Sequence, residues 1–292
     1  MMGKIIDISK YQTKVDYRKL KEEVDYVILR SSYGTKKQDE LLDTHLKGVI
    51  GAGIHFGLYH YALFEGGQDT LNEANMLIKA IEKAKAHGKK PSYVFVDVEE
   101  KHCGEIVNET NRFIQEVEKK TGIKCGLYSG DAFVKQYGLL KVKTAMRWTA
   151  RYGLNDTGKV NTQYQPTTSF HVWQYTSKGK LKSVPGNLDL STCSTVVLNQ
   201  LRGINPSVAS SNVSNNVYKN KKLVSKATNL RFYNKPSWAD KDVVGTVAKG
   251  IGFPIIVDKV KVGTAYQYKV KNSKGATYYI TASDKYVELK NK

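Results

Sequence analysis

The stretch Ser92-Tyr93-Val94-Phe95-Val96-Asp97-Val98-Glu99 decides how this chain is read. Its β-branched and aromatic residues predict a strand, and the strand ends in two acids spaced i, i+2. Side chains alternate across a strand, so Asp97 and Glu99 project from the same face. In a barrel of βα units the C-terminal strand ends build the active site, and both carboxylates would enter one cleft. Crowded carboxylates raise one another's pKa, which can keep one protonated at neutral pH as a general acid. Standing alone, such a pair is more often a solvated strand end.

Working outward, similar apolar runs recur at residues 5–9, 26–30, 55–62, 124–129, 146–152, 171–176 and 187–190. Helical patterns lie between several of them. Over 70–86, Ala74, Leu77, Ile78, Ile81 and Ala84 recur at helical spacing, with Asp69 as a candidate cap and Gly88 past the end. Over 105–120, Ile106, Phe113, Ile114 and Val117 share one face, and Gly122 follows. Strands alternating with helices predict parallel βα units. Eight strands in about 200 residues predict an α/β barrel near the lower size limit of the TIM-like fold. The later strands are separated by short or irregular segments, so the last part of the barrel should be poor in helices.

Two further acids interrupt apolar strands, where a carboxylate costs energy unless it has a task. Asp7 lies in the first strand run and Asp189 in the last, and these strands are neighbours in a closed barrel. Asp7, Asp97, Glu99 and Asp189 are therefore expected to converge. Aromatic side chains occupy the same ends: Tyr59, Tyr61, Tyr128, Trp148, Tyr152, Trp173 and Tyr175. Sugar rings stack on such side chains, and Gln174 or Arg30 can hydrogen-bond hydroxyl and amide groups. A carbohydrate substrate follows from the set, although any single tyrosine is better explained as core.

The chain has 292 residues, enough for two domains. No apolar run reaches the length of a membrane-spanning helix, so no membrane insertion is expected. Cys103, Cys125 and Cys193 form no C-x-x-C pair, and the six histidines have no ligand spacing; neither metal nor cofactor is expected. The net charge is +19, unevenly spread. Residues 1–205 carry 30 basic and 22 acidic side chains; residues 206–292 carry 16 and 5, a surplus of +11. Such a surface favours a polyanionic partner. The Ser- and Asn-rich segment 204–220 reads as a linker between a catalytic domain over 1–203 and a second domain over 221–292. In the latter, short β-rich runs broken by Gly, Asn, Pro and Asp predict a small all-β barrel.

Residues 3–203 resemble glycoside hydrolase family 25, the Chalaropsis-type lysozymes or muramidases, many of them bacteriophage endolysins. The resemblance rests on DISKYQ (7–12), ILRSSYG (28–34), GLYHY (57–61), FVDVE (95–99), GLYSG (126–130), WTARY (148–152), WQYT (173–176) and NLDLS (187–191), in the family's order. It implies a flattened barrel finishing in plain strands. It also implies cleavage of the β-1,4 bond between N-acetylmuramic acid and N-acetylglucosamine in the peptidoglycan of Gram-positive hosts. Position by position, Glu99 matches the general acid/base and Asp97 the acid that orients the substrate's acetamido group as nucleophile. Asp7 and Asp189 match the remaining cleft carboxylates. Neighbouring-group attack and direct displacement both stay open at this point.

The tail, carried by NLRFYNKPSWADKDVVGTVAKG and YYITASDKYVEL, resembles a bacterial Src-homology-3-like wall-binding domain. Its implied ligand is wall peptide or an anionic glycopolymer. Other readings remain: a barrel glycosidase on chitin-like polymers, a non-catalytic lectin, or a nucleic-acid binder, for which no reader motif exists. The N-terminus MMGKIIDIS lacks an apolar signal core. That suits an endolysin held in the host cytoplasm until a holin releases it to the wall.

Overall fold

Strand β1 (Met2–Ile8) pairs in parallel with β2 (Tyr26–Tyr33), and the parallel order continues through β4 (Phe56–Tyr61), β5 (Val94–Asp97), β6 (Cys125–Gly130), β7 (Arg147–Ala150) and β8 (Val172–Gly179). Strand β9 (Leu188–Ser194) then runs antiparallel to both β8 and β1 and closes an eight-stranded barrel. A two-residue strand, β3 (Lys37–Gln38), adds a hairpin to the end of β2. The computed structural model describes residues 2–154, 156–204, 218, 221–273 and 275–292. All eight expected strands form; β3, which is polar and exposed, had no apolar pattern to reveal it.

Helices α1 (Tyr17–Glu23), α2 (Leu42–Gly51), α3 (Gln68–Ala86), α4 (Ile106–Thr121) and α5 (Asp131–Gln136) follow the early strands, and α6 (Thr195–Leu201) follows β9. Among the described residues, the connection from β7 to β8 holds only a 3-10 turn at Thr162–Tyr164, so there the closing strands lack helical cover as expected. Helix α3 starts two residues before the expected position. Its N-cap is Gly67, at φ 61°, and Asp69 lies inside the first turn, where it accepts from the Glu65 amide at 3.0 Å. Asp69 is therefore not the cap. Helix α4 buries the expected face and ends on Gly122 in the left-handed region.

Strand alternation sorts the core into two layers. Ile6, Val27, Leu58, Val96 and Leu127 point outward and pack beneath the helices with Leu77, Ile81, Phe113 and Val117. Ile5, Tyr26, Ile28, Phe95, Tyr128 and Trp148 point inward and fill the barrel. Gly126 is at an inward position because a Cβ there would come within 2.5 Å of the Phe95 ring. One polar network crosses the outer layer. The buried His60 on β4 pairs with Glu73 on α3 at 2.7 Å and with Ser32 on β2 at 2.8 Å, and Glu73 also accepts from the Leu63 amide.

The chain divides into two compact units, Met1–Ile204 and Asn205–Lys292. The expected linker, 204–220, lies outside the described residues except for Ile204 and Tyr218. The second unit contains β10 (Lys221–Ser225), β11 (Leu230–Tyr233), β12 (Val243–Val247), β13 (Gly252–Phe253), β14 (Ile255–Val262), β15 (Ala265–Lys271), β16 (Thr277–Thr281) and β17 (Val287–Asn291). They form two sheets, β13-β10-β17 and β12-β11-β16-β15-β14, around Leu223, Phe253, Ile256, Val270, Ile280 and Val287. Gly252 permits the β10–β13 crossing, since a Cβ there would meet the Leu223 carbonyl oxygen at 1.9 Å. These sheets match the small all-β domain expected of the tail.

Glu73→Ala would leave His60 and the Leu63 amide without their acceptor in the interior. It should destabilise the barrel by about 3 kcal/mol. Calorimetry should record a drop in melting temperature of roughly 6–12 °C. A drop under about 2 °C would show that the network contributes little to holding α3 on the sheet.

Candidate active site

The alternation that fills the barrel also sets its mouth. Following each inward row to its end gives Asp7 after Ile5, Arg30 after Ile28, Tyr59 and Tyr61 after Gly57, Asp97 after Phe95, and Gln174 after Val172. Glu99 keeps the parity of Asp97 two residues past β5. Asp189 arrives differently. It is second in β9, and because β9 is antiparallel its start lies at the mouth where the parallel strands finish. Asp7 and Asp189 are direct partners in the β1–β9 register. All four acids line one cavity of about 250 Å³.

Burial and mutual repulsion raise every one of these carboxyls. Asp97 is held well above its ordinary value by desolvation, then by Glu99 and Asp7, with Arg30 opposing. Asp7 is likewise raised by burial and then by Asp189, against a hydrogen bond from Gln174. Glu99 is raised by desolvation, then by Asp189 and Glu100, although its side chain opens to solvent. Asp189 is lifted to about 6 by desolvation and by Asp156. Among the described residues, none of the four acids forms an ion pair. Asp97 Oδ1 is buried and has no hydrogen-bond partner. A buried carboxylate oxygen without a donor costs free energy, and such atoms mark positions where a ligand group completes the bonding.

Gln174 organises one wall. Its Oε1 accepts from the hydroxyls of both Tyr128 and Tyr152 at 2.7 Å, so its amide nitrogen must face Asp7 Oδ2, to which it donates at 2.9 Å. Trp148 lies across the floor, edge-on to Tyr59, and donates from Nε1 to Ser191. Arg30 donates from Nε to Asp39 at 2.7 Å while its guanidinium lies 5.2 Å from the Tyr11 ring centre. The Tyr61 hydroxyl donates to Glu100 at 2.7 Å. Tyr59, Tyr61, Tyr128 and Tyr152 all have raised phenol pKa values, chiefly from burial, and stay neutral donors.

Trp173 does not belong to this site. The alternation that turns Gln174 inward turns Trp173 outward, where it is buried in the outer layer and donates to the Arg151 carbonyl at 2.8 Å. Tyr175 follows it outward and stacks edge-on against it. Four lining residues escaped the sequence reading: Ile8, which ends β1, and Ser9, Tyr11 and Gln12 in the turn after it. They lie inside DISKYQ, and only Asp7 was singled out there. Gln12 closes the turn by accepting from the Ser9 amide at 2.9 Å, which leaves Tyr11 73% exposed. Among the described residues, no three His, Cys, Asp or Glu side chains are arranged to hold a metal ion.

The barrel is similar to known proteins. The pattern of glycosyl hydrolases family 25 matches residues 6–184. The catalytic domain of endolysin ply40, from bacteriophage P40 of Listeria monocytogenes, is 51% identical. It superposes with a TM-score of 0.67, covering 70% of this chain and 98% of that one. The modular autolysin LytC of Streptococcus pneumoniae, solved with a synthetic peptidoglycan ligand, is 25% identical. Its TM-score is 0.55, covering 66% of this chain and 47% of LytC. A segment of 67 residues is 79% identical to N-acetylmuramoyl-L-alanine amidase BlyA of Bacillus subtilis (strain 168). It spans 23% of this chain but only 18% of the amidase.

The raised Asp189 sets a pH signature. A carboxyl whose folded pKa exceeds its unfolded value adds stability that is complete below the ordinary pKa of 3.8 and is lost as pH rises through about 6. Asp189→Asn cannot ionise. It should therefore melt above the native chain at pH 7, with the gap closing towards pH 4, while activity falls. Equal melting temperatures at pH 7 would contradict the strained cluster.

Proposed function

The chain belongs to glycosyl hydrolases family 25, and from that premise we propose that it is a muramidase. It is a glycoside hydrolase of the lysozyme type, with an endolysin as a relative at 51% identity. The proposed reaction is hydrolysis of the β-1,4 bond between N-acetylmuramic acid and N-acetylglucosamine in peptidoglycan. The observation that carries this reading is Asp97 Oδ1, a buried acceptor without a donor in the same cavity as Glu99.

An amide N–H suits that acceptor. With its 2-acetamido N–H bonded to Asp97, the substrate turns its acetamido oxygen towards its own anomeric carbon. That oxygen attacks, the glycosidic C–O bond breaks, and the departing oxygen takes the proton of Glu99. Desolvation and the neighbouring acids hold that proton on Glu99 to higher pH than usual, as a general acid requires. A water then gives its proton back to Glu99 and opens the ring intermediate. The negative field of Asp7 and Asp189 favours the positive charge that develops between the two steps. Tyr59, Tyr61, Tyr128, Tyr152, Trp148 and Gln174 supply faces and donors for the sugars. This is the substrate-assisted variant of the two-carboxylate scheme.

For the second unit we propose a Src-homology-3-like module that binds the wall of the Gram-positive host. Its two small sheets and its +11 charge support this. The wall is then the site of action of an endolysin released from the host cytoplasm.

Glu99→Gln should lower the rate of peptidoglycan cleavage about 10²–10⁴-fold with an unchanged melting temperature. Asp97→Asn should also be severely impaired. Turnover near the native rate in the Glu99 variant, measured as new reducing ends, would remove the assignment. A fluorescent fusion of residues 206–292 should label susceptible cells without lysing them. If charge contributes, labelling should weaken as salt rises, because exposed charges are screened within about 10 Å at 0.1 M. No labelling at any salt would refute wall binding by this unit.

A further inference from the structure

A second cavity, of about 280 Å³, adjoins the cleft between the turn after β1 and the β2–β3 hairpin. It shares Tyr11 and Arg30 with the cleft. The Tyr33 ring stacks on Tyr61 at 4.9 Å, so one aromatic wall runs through both spaces. Their charges differ. The cleft sets four acids against Arg30, whereas Lys10, Arg30 and Lys37 line the second cavity against Asp39 and Glu40. Arg30 is occupied by Asp39 at 2.7 Å and Lys10 by Glu40 at 3.5 Å. Lys37 is exposed and has no ion pair among the described residues. It is the register partner of Tyr33, so both side chains leave the same face of the hairpin.

A free cation and two exposed tyrosines next to an acidic cleft discriminate between parts of the substrate. The sugar hydroxyls and acetamides of a glycan strand are uncharged. The anionic part is the peptide arm on the lactyl group of each muramoyl residue, with side-chain and terminal carboxylates. The ionised acids of the cleft repel such an arm, and Lys37 attracts it. Resting on the muramidase reading of the cleft, we propose that this cavity receives the peptide arm of the muramoyl residue. A peptide carboxylate pairs with Lys37, and the arm packs on Tyr11 and Tyr33. The enzyme would then read peptide as well as sugar.

The test gives the full-length protein two substrates: peptidoglycan with its peptide arms, and the same glycan stripped of them by an amidase. Lys37→Glu should raise KM on the intact substrate about three- to tenfold, the size expected for reversing one exposed charge at a contact. Its kcat there, and both constants on the stripped glycan, should stay at native values. Lys37→Ala should act in the same direction and more weakly. An equal change on both substrates would assign Lys37 to the lactyl group or the sugars and overturn the proposal, as would no change on either. A native protein that cuts neither substrate would instead refute the muramidase reading beneath it.

Discussion

Asp7 and Asp189 face each other across the β1–β9 seam as backbone partners, with no cation paired to either among the described residues. Their closeness follows from the direction of the last strand. A parallel β9 would carry Asp189 to the opposite end of the barrel, and the cleft would lose a quarter of its acids. Because β9 is antiparallel, its second residue meets the ends of the parallel strands. Asp97 and Glu99 then complete a cluster in which burial, and after it nearby carboxyls, hold all four acids above their ordinary pKa. Such crowding is unfavourable to folding and is retained where a proton must be held on a carboxyl near neutral pH.

The tyrosines and Gln174 keep that cluster in order without neutralising it. Two phenols fix the orientation of Gln174, and Gln174 offers Asp7 a neutral donor. A cation in its place would lower the carboxyl pKa and release the proton. Among the described residues, Arg30 is the one cation in the cleft lining, and Asp39 already holds it at 2.7 Å.

The barrel was legible because its strands have apolar runs and its two long helices have clear buried faces. The four acids were legible because a carboxylate inside an apolar strand stands out. What stayed hidden depended on direction and parity. NLDL reads the same in either strand direction, so the sequence did not say that Asp189 begins its strand. WQYT places two large aromatics on either side of Gln174, and alternation sends them outward; applied there as it was to FVDVE, it would have excluded Trp173. Ser9, Tyr11 and Gln12 lie in a turn, where no periodicity marks a buried face. The β3 hairpin is polar, two residues long, and set by the chain beside it.

The central claim is the identity of the bond. Purified peptidoglycan digested by the native protein and reduced with borohydride reports it directly, because only a newly freed reducing sugar becomes an alditol. Mass spectrometry should find fragments ending in reduced N-acetylmuramic acid. Fragments ending in reduced N-acetylglucosamine, or free peptides with no new reducing sugar, would contradict the account.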